Sequence, residues 1–195
     1  MHPTTDASAV PQRPLRADAR RNAEKLIAAA REAFAEHGTS ASLEDVARRA
    51  GVGIGTLYRH FPNRQALLEA VYVGEVEAMS RTAADLADLP PWEALSAWLH
   101  RFVGYVATKH ALADELLTYI DRDSEVFRSC RTSILEAGEP LLRHAQEAGV
   151  VRPDANITDV TRMVGGIAQM PGAEPEQIER ILDLALDGLR YPASR

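Results

Sequence analysis

Proline and glycine cut this chain into helix-length pieces, and no piece alternates polar with apolar residues over the length of a strand. Where apolar residues recur, they do so three and four apart. Leu95, Trp98, Leu99, Phe102, Val103 and Val106 make one unbroken helical stripe. From break to break, helices are expected at about 16–37, 42–50, 54–60, 63–88, 92–109, 112–119, 124–148, 157–169 and 176–190. The expected fold is therefore all-α, with about nine helices.

The punctuation marks individual ends. Gly38 sits where a helix C-terminus needs a left-handed residue. Ser42-Leu43-Glu44-Asp45 resembles a capping box, and Asn63 can cap the helix after it. Phe61-Pro62 closes a short helix, because the residue before a proline avoids helical geometry. Pro140 is expected to kink or split the helix it lies in, and Pro175 to open the last one.

Composition narrows the function. With 46% hydrophobic and 26% charged residues, disorder along all 195 residues is excluded. No apolar run approaches the roughly 18 residues of a membrane span, and Met1 to Asp6 lacks the basic flank of a secretion signal. A single cysteine, Cys130, cannot build a disulfide framework or a thiolate zinc site, so a reducing cytoplasm is the expected compartment.

The net charge of −6 argues against nucleic acid until it is divided along the chain. Residues 1–66 hold ten Lys/Arg against seven Asp/Glu, and residues 67–195 hold twelve against twenty-one. A basic head on an acidic body follows. Two short helices joined by Gly51-Val52-Gly53 have the dimensions of a helix-turn-helix. Small residues at the start of the second, followed by Tyr58, Arg59 and His60, suit close approach to base edges and donation to phosphates. Leu57 and Phe61 point the other way, toward Phe34, Leu43 and Val46.

The stretch from Ser42 to Leu68, with the amphipathic helix ahead of it, closely resembles the DNA-binding signature of tetracycline-repressor (TetR) family regulators. The resemblance implies a helix-turn-helix domain over 15–62, preceded by a disordered arm at 1–14. A body over 63–195 would bind a ligand and dimerise. It further implies that Ser42 caps its helix and meets a phosphate, and that Thr56, Tyr58 and His60 contact the DNA backbone. Gly53, Ile54 and Gly55 take the base-facing positions, and Arg64 stands where the family carries a phosphate-binding lysine. Ile54 offers a thymine methyl contact but no hydrogen bond, so readout must lean on Arg59, Thr56 or DNA shape. Arg13, Arg16, Arg20 and Arg21 either enter an adjacent minor groove or cover a solvated helix.

In the body, Met79, Trp98, Phe102, Tyr105, Tyr119, Phe127, Cys130 and Ile134 are the pocket candidates, while Trp92 reads as a staple. Their character suggests a planar or hydrophobic effector with few charges. His100, His110 and His144 read as surface histidines, not a metal site, and Cys130 as a buried thiol. No cofactor is expected, and no catalytic constellation stands out. The family's homodimer is a four-helix bundle of the last two helices, which assigns Met163, Gly166, Ile178, Leu182, Leu186 and Leu189 to an interface; their broad apolar stripes can serve the chain's own core as well. The expected protein is a homodimeric regulator, a repressor, that binds a palindromic double-stranded operator and is released by an unidentified small-molecule effector. An effector-free architectural DNA binder, or a helical enzyme or adaptor with a vestigial head, are the alternatives.

Overall fold

The structure, a computed structural model, describes residues 13–190. Those residues form eight α-helices and one 3-10 turn, without a strand among them; one isolated antiparallel bridge joins Val151 and Arg190. No described helix is long and apolar enough to cross a membrane. The chain divides between Leu67 and Leu68 into two compact units.

The first unit, the head, contains α1 (Arg13–His37), the 3-10 turn (Gly38–Ser40), α2 (Leu43–Arg49), α3 (Ile54–His60) and the first turn of α4 (Arg64–Asp85). Helix α1 starts three residues before the expected Arg16, because Pro14 falls in its first turn, where proline needs no N–H partner. Most of the expected arm lies outside the described residues. Gly38 and Gly51 both adopt left-handed backbone (φ +53° and +68°), the geometry that turns the chain after α1 and after α2. Ser42 Oγ accepts the Asp45 N–H at 3.0 Å, and Asn63 Oδ1 accepts the Ala66 N–H at 2.8 Å, so both expected caps form. Leu26, Phe34, Val46, Leu57 and Phe61 fill a small common core.

The second unit, the body, holds the rest of α4, then α5 (Pro91–Leu116), α6 (Glu125–Glu147), α7 (Ile157–Ala168) and α8 (Pro175–Asp187). Helix α5 is central and packs on α6, α7 and α8. A separate helix at 112–119 was expected, yet α5 runs unbroken to Leu116. Nothing between Lys109 and Leu112 is a helix breaker, so propagation continues. Pro140 does not split α6 either. It lies on the exposed side, where the carbonyl left without an N–H can be hydrated. Phe127, Cys130 and Ile134 before it, and Leu141, Leu142 and Ala145 after it, anchor both halves. Among the described glycines of the body, Gly138 is the one packed most closely. A Cβ there would stand 2.6 Å from the Trp98 ring and 2.8 Å from Ile157 Cδ1.

Candidate DNA-binding surface and effector cavity

Helix α3 has two unlike faces. Leu57 is fully buried in the head core, while Ile54 and Tyr58, one turn apart, are 37% and 47% exposed. Gly53, Gly55 and Arg59 are exposed with them, and Thr56 and His60 are half-buried at the edges. Gly53 caps α3 with extended backbone, and a Cβ at Gly53 or Gly55 would meet nothing within 4 Å. Internal packing therefore does not demand those glycines. What their lack of side chains does provide is an open path to the α3 backbone from outside.

The arginines of the head divide by engagement. Arg59 bends back along α3, donating from Nε to the Gly55 carbonyl at 3.1 Å and from Nη2 to Thr56 Oγ1 at 3.3 Å. Arg64 donates to the Ala41 carbonyl, and its guanidinium lies 5.0 Å from the Phe34 ring centroid. It thus ties the first turn of α4 to the head core, beyond any phosphate contact. Arg49 joins Asp45 and Glu36, both at 2.7 Å, and Arg48 also reaches Asp45. These bonds hold the Asp45 and Glu36 carboxyls below their ordinary values, the hydrogen bond from Arg49 being the main cause. The clamp between α1 and α2 was not visible beforehand, because Glu36 and Arg49 lie thirteen residues apart. Farther along α1, Arg20 pairs with Glu24 at 3.0 Å and Arg21 with Asp18.

In the body, the expected pocket residues separate. Phe102, Tyr105 and Phe127 line a cavity of about 580 Å³ bounded by α4 to α7. Cys130 lines a different cavity of about 820 Å³, with Ser80, Ser133 and Glu77. Met79, Trp98 and Ile134 are core: Trp98 donates its Nε1–H to the Met79 carbonyl at 3.4 Å and stacks on Phe102 at 5.6 Å. Tyr119 stands 47% exposed in the turn after α5. Periodicity says which residues share a helix face; it cannot say which part of that face the neighbouring helices leave open.

The first cavity also holds what the sequence reading missed. Lys109 reaches between two rings, its Nζ 5.1 Å from the Tyr72 centroid and 5.2 Å from that of Tyr105. Arg122, Arg131 and Arg162 line the same space. An effector with few charges was expected; these cations contradict the premise behind it. Lys109 is one of only two lysines in the chain, the one signal that could have drawn attention to it.

The interface candidates also divide. Leu182, Leu186 and Leu189 are buried in the chain's own core, whereas Met163 and Ile178 are half-buried and Gly166 is exposed. Leu184 is 73% exposed, and Met170 is 38% exposed. No group of three or more metal-binding side chains occurs among the described residues. His110 pairs with Asp114 at 3.4 Å, and His100 with Asp183 at 3.0 Å.

Residues 26–71 match the bacterial regulatory proteins of the tetR family, and residues 90–191 match the C-terminal domain of SbtR-like transcriptional regulators. The chain is similar in structure to a TetR transcriptional regulator from Streptomyces coelicolor. That pair is 43% identical with a TM-score of 0.77, covering 88% of this chain and 99% of that one. A TetR transcription regulatory protein from Mycobacterium vanbaalenii is 35% identical with a TM-score of 0.76, covering 91% and 99%. Among curated proteins, the HTH-type transcriptional repressor KstR2 of Rhodococcus jostii is 25% identical over 193 residues, covering 86% of this chain and 91% of that one.

Proposed function

We propose, from the premise that this chain belongs to the TetR family of transcriptional regulators, that it works as a homodimeric repressor released from a palindromic operator by a small molecule. The observation that carries the DNA-binding surface is the two-sided character of α3. Its core face is spent on Leu57, and its outer face leaves Ile54 and Tyr58 without an internal use. In this reading Ser42, Thr56, Tyr58 and His60 hold phosphates, and Gly53, Ile54 and Gly55 lie along the base edges. Arg59 is folded back in the free protein and extends onto the DNA, exchanging its Gly55 and Thr56 bonds for stronger ones to an anion.

Repression by a dimer is supported by the repressor among the relatives and by the apolar surface left at Leu184 on α8 and at Met170 after α7. The two heads then read half-sites about one helical turn apart, or a multiple of it. Helix α4 is the natural transmitter, since its first turn belongs to the head and the remainder helps line the cavity of about 580 Å³. A ligand that favours another arrangement of α4 by about 1.4 kcal/mol weakens operator binding tenfold.

The test begins with selection of bound fragments from genomic DNA, followed by titration of the best site. Tyr58→Phe with His60→Ala removes two phosphate donors from each head. With charged acceptors each worth about 1.5–3 kcal/mol, binding should fall at least ~100-fold, equally for specific and random DNA. Undiminished affinity in this variant refutes the assignment of α3.

A further inference from the structure

The effector cavity gathers cations in a body that is otherwise acidic. Lys109 comes from α5, Arg122 from the loop after it, Arg131 from α6 and Arg162 from α7, and no Asp or Glu stands among the described lining residues. None of the four forms an ion pair with a carboxylate among the described residues. Residues 67–195 hold twenty-one Asp/Glu against twelve Lys/Arg, so four cations converging without an acid run against the composition around them. Arg122, Arg131 and Arg162 are exposed and Lys109 is half-buried, so the group presents a positive mouth that favours an anion.

Two further observations concern the kind of anion. The Tyr105 hydroxyl is buried, in a residue only 7% exposed, and has no hydrogen-bond partner. Burial pushes its phenol well above the ordinary value, so the group remains a donor in search of an acceptor. Phe102, Val106 and Phe127 supply apolar wall beside it. The volume of about 580 Å³ falls within the roughly 300–1,000 Å³ of small-molecule sites. The lining therefore combines donors and cations with rings and methyls, and Lys109 lies directly against two of the rings.

Resting on the effector reading above, we propose that this cavity binds an organic carboxylate carried on an apolar body. Lys109 and Arg131 receive the charge, Tyr105 donates to a carboxylate oxygen, and Arg162 closes the rim. Burial lowers the Lys109 ammonium below its ordinary value; Cys130 opposes that shift, and repulsion from Arg131 adds to it. An anion between Lys109 and Arg131 offsets that repulsion and favours the charged ammonium.

Calorimetry on the full chain with three acids (2-naphthoate, 4-phenylbutyrate and decanoate) and their primary amides tests this. At least one acid should bind at least about tenfold more tightly than its amide. Lys109→Met and Arg131→Gln should each lose about tenfold for that acid and leave its amide unchanged. Arg131 is exposed, as is Arg162, so Arg131→Gln and Arg162→Gln serve where the half-buried Lys109→Met lowers stability. Amides that bind as well as acids, or acids that fail to bind at about millimolar concentration, overturn the proposal. Operator affinity is measured separately on each loaded protein. An acid held by these cations without any change in operator affinity leaves the anion site standing and removes the effector reading. An amide that releases the operator while the acids do not bind does the reverse.

Discussion

The head and the body are built from the same kind of amphipathic helix, yet they finish their surfaces differently. In the head, the positions facing outward from α3 follow within seven residues of one another, from Gly53 to Arg59. Its caps are local too: Ser42 bonds Asp45, and Asn63 bonds Ala66. In the body, the cavity takes residues from four helices and a loop, spread from Tyr72 to Gln169. A surface made by one helix is written in one segment of sequence. A concavity exists only where several segments fail to fill space. Both units leave apolar groups outside their cores, Ile54 and Tyr58 on one helix of the head and Leu184 and Met170 in the body, but only the body adds a cavity lined by cations. The body has the character of a unit awaiting other molecules.

The largest effect expected from that contrast lies on α8. Leu182 and Leu184 are two residues apart, one fully buried and the other 73% exposed. If the exposed side is the proposed dimer seam, Leu184→Asp buries an unpaired charge between subunits, at a cost of about 3–5 kcal/mol. Sedimentation should show at least ~100-fold weaker dimerisation, with unchanged helix content. Leu182→Asp should instead unfold the body. Equal dimerisation by folded Leu184→Asp protein would mean that the body is complete without a partner, and the contrast with the head would fail there.

A smaller effect belongs to the core of the body. The closest approach among its described glycines is at Gly138, where a methyl would meet the Trp98 ring and Ile157. Ile157 offers only its terminal methyl, but the Trp98 ring is fully buried against Phe102 and has little room to move aside. Gly138→Ala should cost about 1–3 kcal/mol by overpacking, in spite of alanine's better helix propensity. The melting temperature of the body should fall and that of the head should not. A rise would show that propensity wins and that the body has slack which the static packing does not suggest.

Smaller again, Ser42→Ala removes the cap of α2 and should cost the head about 1 kcal/mol in denaturant titrations. Local devices of this kind account for most of what was readable in advance. The residues Gly38, Ser42, Gly51, Phe61 and Asn63 each end or begin an element through chemistry confined to their own turn. Where the sequence reading failed, the deciding interaction was distant. Pro140 was expected to kink or split α6, and the helix is not split: the burial of Phe127 and Leu141 on either side of it holds it together. Of the eight pocket candidates, three line the cationic cavity, because all were chosen for ring or apolar character and Lys109 was passed over. Leu182, Leu186 and Leu189 were assigned outward from a broad stripe whose inward half only packing could identify.

The smallest effect concerns a long-range ionic device of the head, the clamp of Arg49 with Asp45 and Glu36. Both carboxyls are held below their ordinary values, chiefly by the hydrogen bond from Arg49. A carboxylate depressed in the folded state adds stability that is fully present above its unfolded value, about pH 4. That stability is lost as pH falls through the lower folded value. Arg49→Gln should therefore lower the melting temperature of the head slightly at about pH 6, and the gap to wild type should close as pH falls below about 4. Added salt should narrow it as well, because the pairs lie at the surface. A gap that persists unchanged into acid would mean that Arg49 acts through the packing of its alkyl chain against α1. The head would then be held by contacts alone, and its difference from the body would be one of scale only.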